Sequence, residues 1–178
     1  MIPIISIAGY SDAGKTTVVE KLVPELKKRG YRVGTIKHSE HESNFDTRGK
    51  DSWRHFAAGA DAVLISSSDK TVMIRKQERR SDDSQSDDSR AQLAFLRTYL
   101  TDVDVVLAEG FKKAKIPKIE VFRKQMSDEP ACLNDDNLVA LVTDADIKIS
   151  VPVFGLEESG RLAEFIVQKF LLSQEVSK

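Results

Sequence analysis

Apolar positions fall along the chain in two alternating rhythms. Ile2-Pro3-Ile4-Ile5-Ser6-Ile7-Ala8 is a short apolar run rich in β-branched residues, the pattern of a buried parallel strand. Val18, Val19, Leu22 and Leu26 then recur at helical spacing, and Gly30 stops that helix. Pro24 lies inside it, removes one hydrogen bond and is expected to bend it. Tyr31–Ile36 reads as a second strand, followed by the polar stretch Lys37–Asp46. Asp51 or Ser52 caps a helix through Trp53, Phe56 and Ala58, which Gly59 ends. Ala62–Ile65 and Thr71–Ile74 read as a hairpin joined by Ser67-Ser68-Asp69-Lys70.

Residues 77–90 carry no apolar side chain and read as a mobile polar loop. Leu93, Leu96 and Leu100 mark a helix face from about Arg90 to Leu100, and Val103–Ala108 is a strand running into Glu109. Lys118–Arg123 alternates like a half-exposed strand, whereas Leu138–Val142 is apolar throughout and ends in Thr143-Asp144. Val151–Phe154 is a last short strand, and Leu162, Phe165, Ile166, Lys169 and Phe170 outline a final amphipathic helix. Strands alternating with helices predict an α/β fold, a mainly parallel sheet flanked by helices on both faces, in a single domain over 1–178.

The chemistry enters between the first strand and the first helix. Gly9-Tyr10-Ser11-Asp12-Ala13-Gly14-Lys15-Thr16 is a G-x-x-x-x-G-K-T phosphate-binding loop, or Walker A motif, in the strand–loop–helix context it requires. The predicted fold is therefore P-loop NTPase-like. Main-chain N–H groups from Gly9 to Thr17, including those of Asp12, Ala13 and Gly14, would cradle phosphates. Lys15 would reach the β- and γ-phosphates, and the Thr16 hydroxyl would hold Mg²⁺. Glu109, a carboxylate ending a buried strand, is the expected second half of such a site, serving Mg²⁺ or polarising water. Lys15 and Glu109 are the candidate catalytic residues. Lys37 ends the second strand and is placed to reach anionic groups, while Asp46 is a candidate for a magnesium-bound water. Thr143 and Asp144 follow a late strand, where Asp144 either caps the turn beside Asp146 or stands beside a nucleotide base. There a carboxylate would accept from the N–H donors of guanine and repel the N1 acceptor of adenine. His38 and His41 stand among acids, but the set does not supply the four ligands of a structural zinc site.

Composition narrows the reading further. Of 178 residues 40% are hydrophobic and 31% charged, with a net charge of -1, so no basic field points to nucleic acid. No apolar run approaches a membrane span, and a single cysteine, Cys132, fits a cytoplasmic setting. An ATP-dependent small-molecule kinase is the alternative, with Arg75, Arg79 and Arg80 to close on phosphate, although no acceptor-binding pattern is visible. The Asn-Lys-x-Asp guanine signature is missing as well.

Several motifs together resemble the MobB family of molybdopterin-guanine dinucleotide biosynthesis accessory proteins. They are the loop through Thr17, Ile36-Lys37-His38 with His41 and Asp46, Gly49-Lys50-Asp51-Ser52, Ala58-Gly59-Ala60, Glu109-Gly110-Phe111-Lys112 and Lys118-Ile119-Glu120-Val121. The resemblance runs from about residue 2 to 170. It implies a homodimer that binds GTP with Mg²⁺ and hydrolyses it weakly at most. It further implies assistance to a MobA-like guanylyltransferase acting on molybdopterin, the molybdenum cofactor precursor. Asp12, where relatives often carry Gly or Asn, and Arg48, where they often carry Pro, depart from the family pattern.

Overall fold

A computed structural model describes residues 2–39, 46–76 and 88–172. His41 and residues 77–87, which hold most of the expected polar loop with Arg79 and Arg80, lie outside the described residues. The chain divides into two compact units, Met1–His38 with Ser86–Lys178, and Ser39–Gln85.

The first unit holds a six-stranded, wholly parallel sheet. Its strands are β1 (Ile4–Ala8), β2 (Val33–Lys37), β5 (Val105–Glu109), β6 (Lys118–Phe122), β7 (Leu138–Thr143) and β8 (Val153–Phe154), in the order β2-β5-β1-β6-β7-β8. Helix α1 (Lys15–Lys28) carries the chain from β1 past β5 to the edge strand β2, while β6, β7 and β8 build outward on the other side of β1. The sheet therefore grows in opposite directions from β1, and the crevice at such a switch point is where ligands bind in open α/β sheets.

Alternation along the strands sorts the core into two faces. Ile5, Ile7, Val105, Leu107, Ile119 and Val121 pack with Val18, Leu22 and Leu26 of α1 and with Leu162, Ala163 and Ile166 of α4 (Ser159–Ile166). On the opposite face Ile36, Val106 and Ala108 pack with Leu93 of α3 (Asp88–Arg97). Both faces are thus covered by helices, as the alternation of elements predicts. The chain after α4 continues as a π-helical stretch, Val167–Leu171. Its wider turn brings Leu171 to the buried position, five residues after Ile166, while Phe170 is only partly buried. A straight α-helical reading misses that shift of phase.

β6 corrects the expectation of a half-exposed strand: all five residues are buried, Lys118 and Glu120 included. The face that carries these charges is roofed by chain. The Glu120 carboxylate accepts the main-chain N–H groups of Ala131 and Cys132 at 2.5 and 2.9 Å. The Lys118 ammonium pairs with Asp135 at 2.8 Å and donates to the Ala114 carbonyl. Buried charges persist only when satisfied in this way. Two loops are thereby fixed to the sheet, and a cavity of about 470 Å³ opens between residues 113–118 and 129–137. None of its lining residues belongs to the glycine loop.

Cys132 lies in this buried layer with Ala8 and Leu138. Burial, aided by the Glu120 charge, pushes its thiol up to about 11. A thiol that is both covered and protonated reacts slowly with disulfide reagents. Labelling of Cys132 in the native protein is therefore expected to be at least about a hundredfold slower than in urea. Native-state labelling as fast as in urea would show that the 129–137 loop is open.

The second unit contains α2 (Asp51–Ala57) and the antiparallel hairpin β3 (Ala62–Ser66) with β4 (Thr71–Arg75). The connecting turn closes through Ser67 N–H donating to the Lys70 carbonyl at 2.8 Å, as the Ser-Ser-Asp-Lys sequence predicts. Leu64 faces Met73 across the hairpin and Ile65 faces Val72. All four are exposed, by 66%, 41%, 39% and 47% respectively, so both faces of the ribbon carry uncovered apolar groups.

Candidate nucleotide site

The glycine loop leaves β1 hard against β6. A Cβ on Gly9 would stand 2.3 Å from the Val121 carbonyl oxygen, and its φ of 133° already disfavours any side chain. Asp12 takes a left-handed φ of 59°, a conformation that Asp tolerates, so the loop keeps its curl without Gly or Asn there. Ala13 is buried beneath the loop. Gly14 forms the N-cap of α1, no side chain caps that end, and no acid stands in the first turn. The first-turn N–H groups are thus left without side-chain acceptors at the positive end of the helix dipole.

Lys15 curls back over the loop, and its ammonium donates to the Tyr10 carbonyl at 2.5 Å. Burial depresses its pKa; Glu109 opposes that shift and the Lys37 and Lys112 ammoniums add to it. Thr16, one residue on, donates its hydroxyl to Glu109 Oε1 at 2.9 Å. Lys37 is the register partner of Glu109 across β2 and β5, and its ammonium pairs with the same Oε1. The structure therefore brings together Lys15, Thr16, Lys37 and Glu109, all expected from the sequence. Thr17 follows, exposed, in the first turn of α1.

The turn after Glu109 is held open by unusual backbone. Gly110 and Phe111 both have positive φ, 95° and 55°. A bulky residue rarely adopts that conformation. The His38 ring lies 4.8 Å from the Phe111 ring, and the Ser6 hydroxyl donates to the Gly110 carbonyl at 2.6 Å. This turn presents Lys112, whose ammonium lies 5.7 Å from the centre of the Tyr10 ring. Lys112 is a cation of the site that strand-end reasoning passed over; its position three residues after Glu109 was the available signal.

Thr143 is buried and accepts the Ala145 N–H at 3.0 Å, so Thr143 caps the turn after β7. Asp144 is left for another partner and lies 2.7 Å from Nε of Arg123, at the end of the neighbouring strand β6. Arg123 was not foreseen. Asp46 lies in the second unit, where its Oδ1 accepts from the Thr47 N–H and the Ser52 hydroxyl at 2.8 and 2.9 Å. Its Oδ2 is buried without a hydrogen-bond partner among the described residues. Arg75, expected on the kinase reading, ends β4 in that same unit. Among the described residues no group of three or more His, Cys, Asp or Glu is arranged to hold a metal ion. Nor, among them, is any helix long and apolar enough to cross a membrane.

Residues 4–144 match the family model of molybdopterin guanine dinucleotide synthesis protein B, MobB. A molybdopterin-guanine dinucleotide biosynthesis adapter protein of Haemophilus influenzae is 38% identical over 165 residues, covering 93% of this chain and 88% of the relative. Its counterpart of the same name in Escherichia coli is 32% identical over 171 residues, covering 94% and 93%. A crystal structure of molybdopterin-guanine biosynthesis protein B superposes with a TM-score of 0.70 at 32% identity, over 93% of this chain and 98% of that one. The crystal structure of Bacillus subtilis MobB, at 24% identity and a TM-score of 0.70, shares the fold. The chain belongs to the MobB family, the adapter proteins of molybdopterin guanine dinucleotide biosynthesis.

Proposed function

We propose that this adapter binds GTP with Mg²⁺ at the glycine loop and works as a homodimer with a MobA-like guanylyltransferase that acts on molybdopterin, in the cytoplasm. The observation that carries the reading is the meeting of Lys15, Lys37 and Lys112 at an uncapped helix N-terminus, with a Thr16–Glu109 oxygen pair beside them. Cations and free N–H groups suit a polyphosphate. The hydroxyl and carboxylate suit a hard cation such as Mg²⁺, which takes oxygen ligands. Thr16 would bind the metal directly and Glu109 directly or through water. Hydrolysis is expected to be weak. Calorimetry with GTP and ATP, with and without Mg²⁺, tests the proposal: Mg²⁺-dependent binding of GTP over ATP is the expected result, and no binding of either nucleotide rejects it.

The preference for guanine is assigned to Asp144, at the C-terminal end of β7, with Arg123 beside it. A carboxylate accepts from guanine N1–H and N2–H₂ and meets an acceptor on adenine. Asp144 is exposed and a bound base would cover it; a polar group left unpaired under that cover costs ~1–3 kcal/mol, or roughly ten- to a hundredfold in affinity. Asp144→Asn is accordingly expected to lower the ratio of GTP to ATP affinity about tenfold or more. An unchanged ratio makes Asp144 a partner of Arg123 and nothing else.

The homodimer is assigned to the β3–β4 hairpin. A two-stranded ribbon is at best marginally stable alone, and one with apolar groups on both faces needs a cover. A second copy of the same ribbon supplies it, since a twofold interface matches a patch to itself. The double variant Leu64→Lys/Met73→Glu is expected to sediment as a monomer under conditions where the unaltered chain is a dimer. A variant that remains dimeric moves the interface elsewhere.

A further inference from the structure

Glu109 Oε1 is used twice. It accepts the Thr16 hydroxyl and it pairs with the Lys37 ammonium. Lys37 reaches it from the neighbouring strand, in direct register, so the pair is set by the sheet itself. The Glu109 side chain is 10% exposed, whereas that of Lys37 is 63% exposed. One partner is buried and the other lies largely in solvent. We infer that Lys37 and a divalent cation compete for Glu109, so that Lys37 makes the site refuse a bare metal ion and accept one that arrives with its own negative charge.

The competition is electrostatic and rests on the assignment of Thr16 and Glu109 to the metal. A cation bound between the Thr16 and Glu109 oxygens needs the carboxylate that the Lys37 ammonium already neutralises. It must also approach the Lys15 ammonium, which curls over the loop one residue before Thr16. A bare divalent ion therefore gains one shared carboxylate and meets two ammonium groups at short range. A metal–polyphosphate complex reverses this balance. Its oxygens give Lys37 a new anionic partner at the moment Glu109 is surrendered, and they satisfy Lys15 as well. Lys37 is thus a specificity-determining residue that couples metal entry to phosphate entry.

The test uses Mn²⁺ without any nucleotide, followed by electron paramagnetic resonance of the free ion. Lys37→Gln, which removes the competing charge, is expected to tighten Mn²⁺ binding on the order of tenfold. Lys37→Arg keeps the ion pair and is expected to stay within about twofold of the unaltered chain. Adding Glu109→Gln to Lys37→Gln is expected to abolish the gain. Equal or weaker Mn²⁺ binding by Lys37→Gln overturns the inference, as does a gain that survives Glu109→Gln. The two readings fail separately. Loss of the Mn²⁺ effect with intact Mg²⁺–GTP binding removes the competition alone, whereas tighter Mn²⁺ binding in a chain that binds no nucleotide removes the GTP site alone.

Discussion

Replacing Lys15 with alanine is expected to abolish measurable GTP binding while leaving the thermal midpoint of unfolding nearly unchanged. Lys15 opens α1 and, among the described residues, its ammonium donates to the Tyr10 carbonyl of its own loop, a contact that holds no second element in place. Removing it therefore costs little in packing. The expected loss in binding is large because the ammonium would serve phosphate oxygens through charge-assisted hydrogen bonds, worth ~1.5–3 kcal/mol each. Two such bonds correspond to a loss of a hundredfold or more. The depressed pKa of Lys15, set first by burial, also indicates a cation that gains from an anionic partner. Calorimetry on the variant, alongside its melting curve, gives both readouts. GTP affinity unchanged in a folded Lys15→Ala chain would place the nucleotide away from the glycine loop.

The parts of this site that sequence made legible are those encoded locally. The glycine loop, Lys15 and Thr16 lie in one continuous stretch that runs from a strand into a helix, and Glu109 and Lys37 are polar residues that end strands. Strand-end position is a pattern that hydrophobic periodicity can reveal. That Lys37 and Glu109 touch was not legible, because it depends on β5 inserting between β1 and β2. Strand order is decided by long-range packing, and no local pattern specifies it. The Arg123–Asp144 pair was hidden for the same reason, since it needs β6 and β7 to be neighbours.

The failure at β6 has a different physical origin. Lys-Ile-Glu-Val-Phe alternates as a strand with one wet face would, and periodicity alone cannot distinguish solvent from a polar roof. Glu120 is the clearest case. It is fully buried, and burial raises its pKa, yet its two oxygens are met by main-chain N–H groups of a loop that carries no helix or strand. The polar side chain replaces the pairing that the loop backbone would otherwise obtain from water. Nothing in the spacing of Ala131 and Cys132 announces that role.

Asp135→Ala should destabilise the fold by about 3 kcal/mol, near the lower end of the cost of breaking a buried ion pair, because Asp135 keeps some contact with water. The damage falls on its partner. The Lys118 side chain is 1% exposed, and without Asp135 its ammonium keeps, among the described residues, the Ala114 carbonyl alone. A buried charge left with one neutral acceptor is among the few lesions that cost this much. The pair also predicts a pH dependence. Burial pushes the Asp135 carboxyl upward, but hydrogen bonds from Lys118 and Asn137 outweigh that and hold its pKa below the ordinary 3.8. A carboxyl depressed in the folded state stabilises it fully above the unfolded value. That contribution is lost as pH falls through the lower folded value. The stability gap between the unaltered chain and Asp135→Ala is therefore expected to be constant near neutrality and to narrow below about pH 4. Replacing both members, as Lys118→Met/Asp135→Ala, removes the stranded charge and is expected to recover most of the loss, since an apolar pair of similar volume can substitute for a buried ion pair. Urea titrations of the three chains at several pH values measure all of this. If the double variant is no more stable than Asp135→Ala, the cost comes from the loop geometry that Asp135 maintains through Asn137, and the Lys118 charge is not its source.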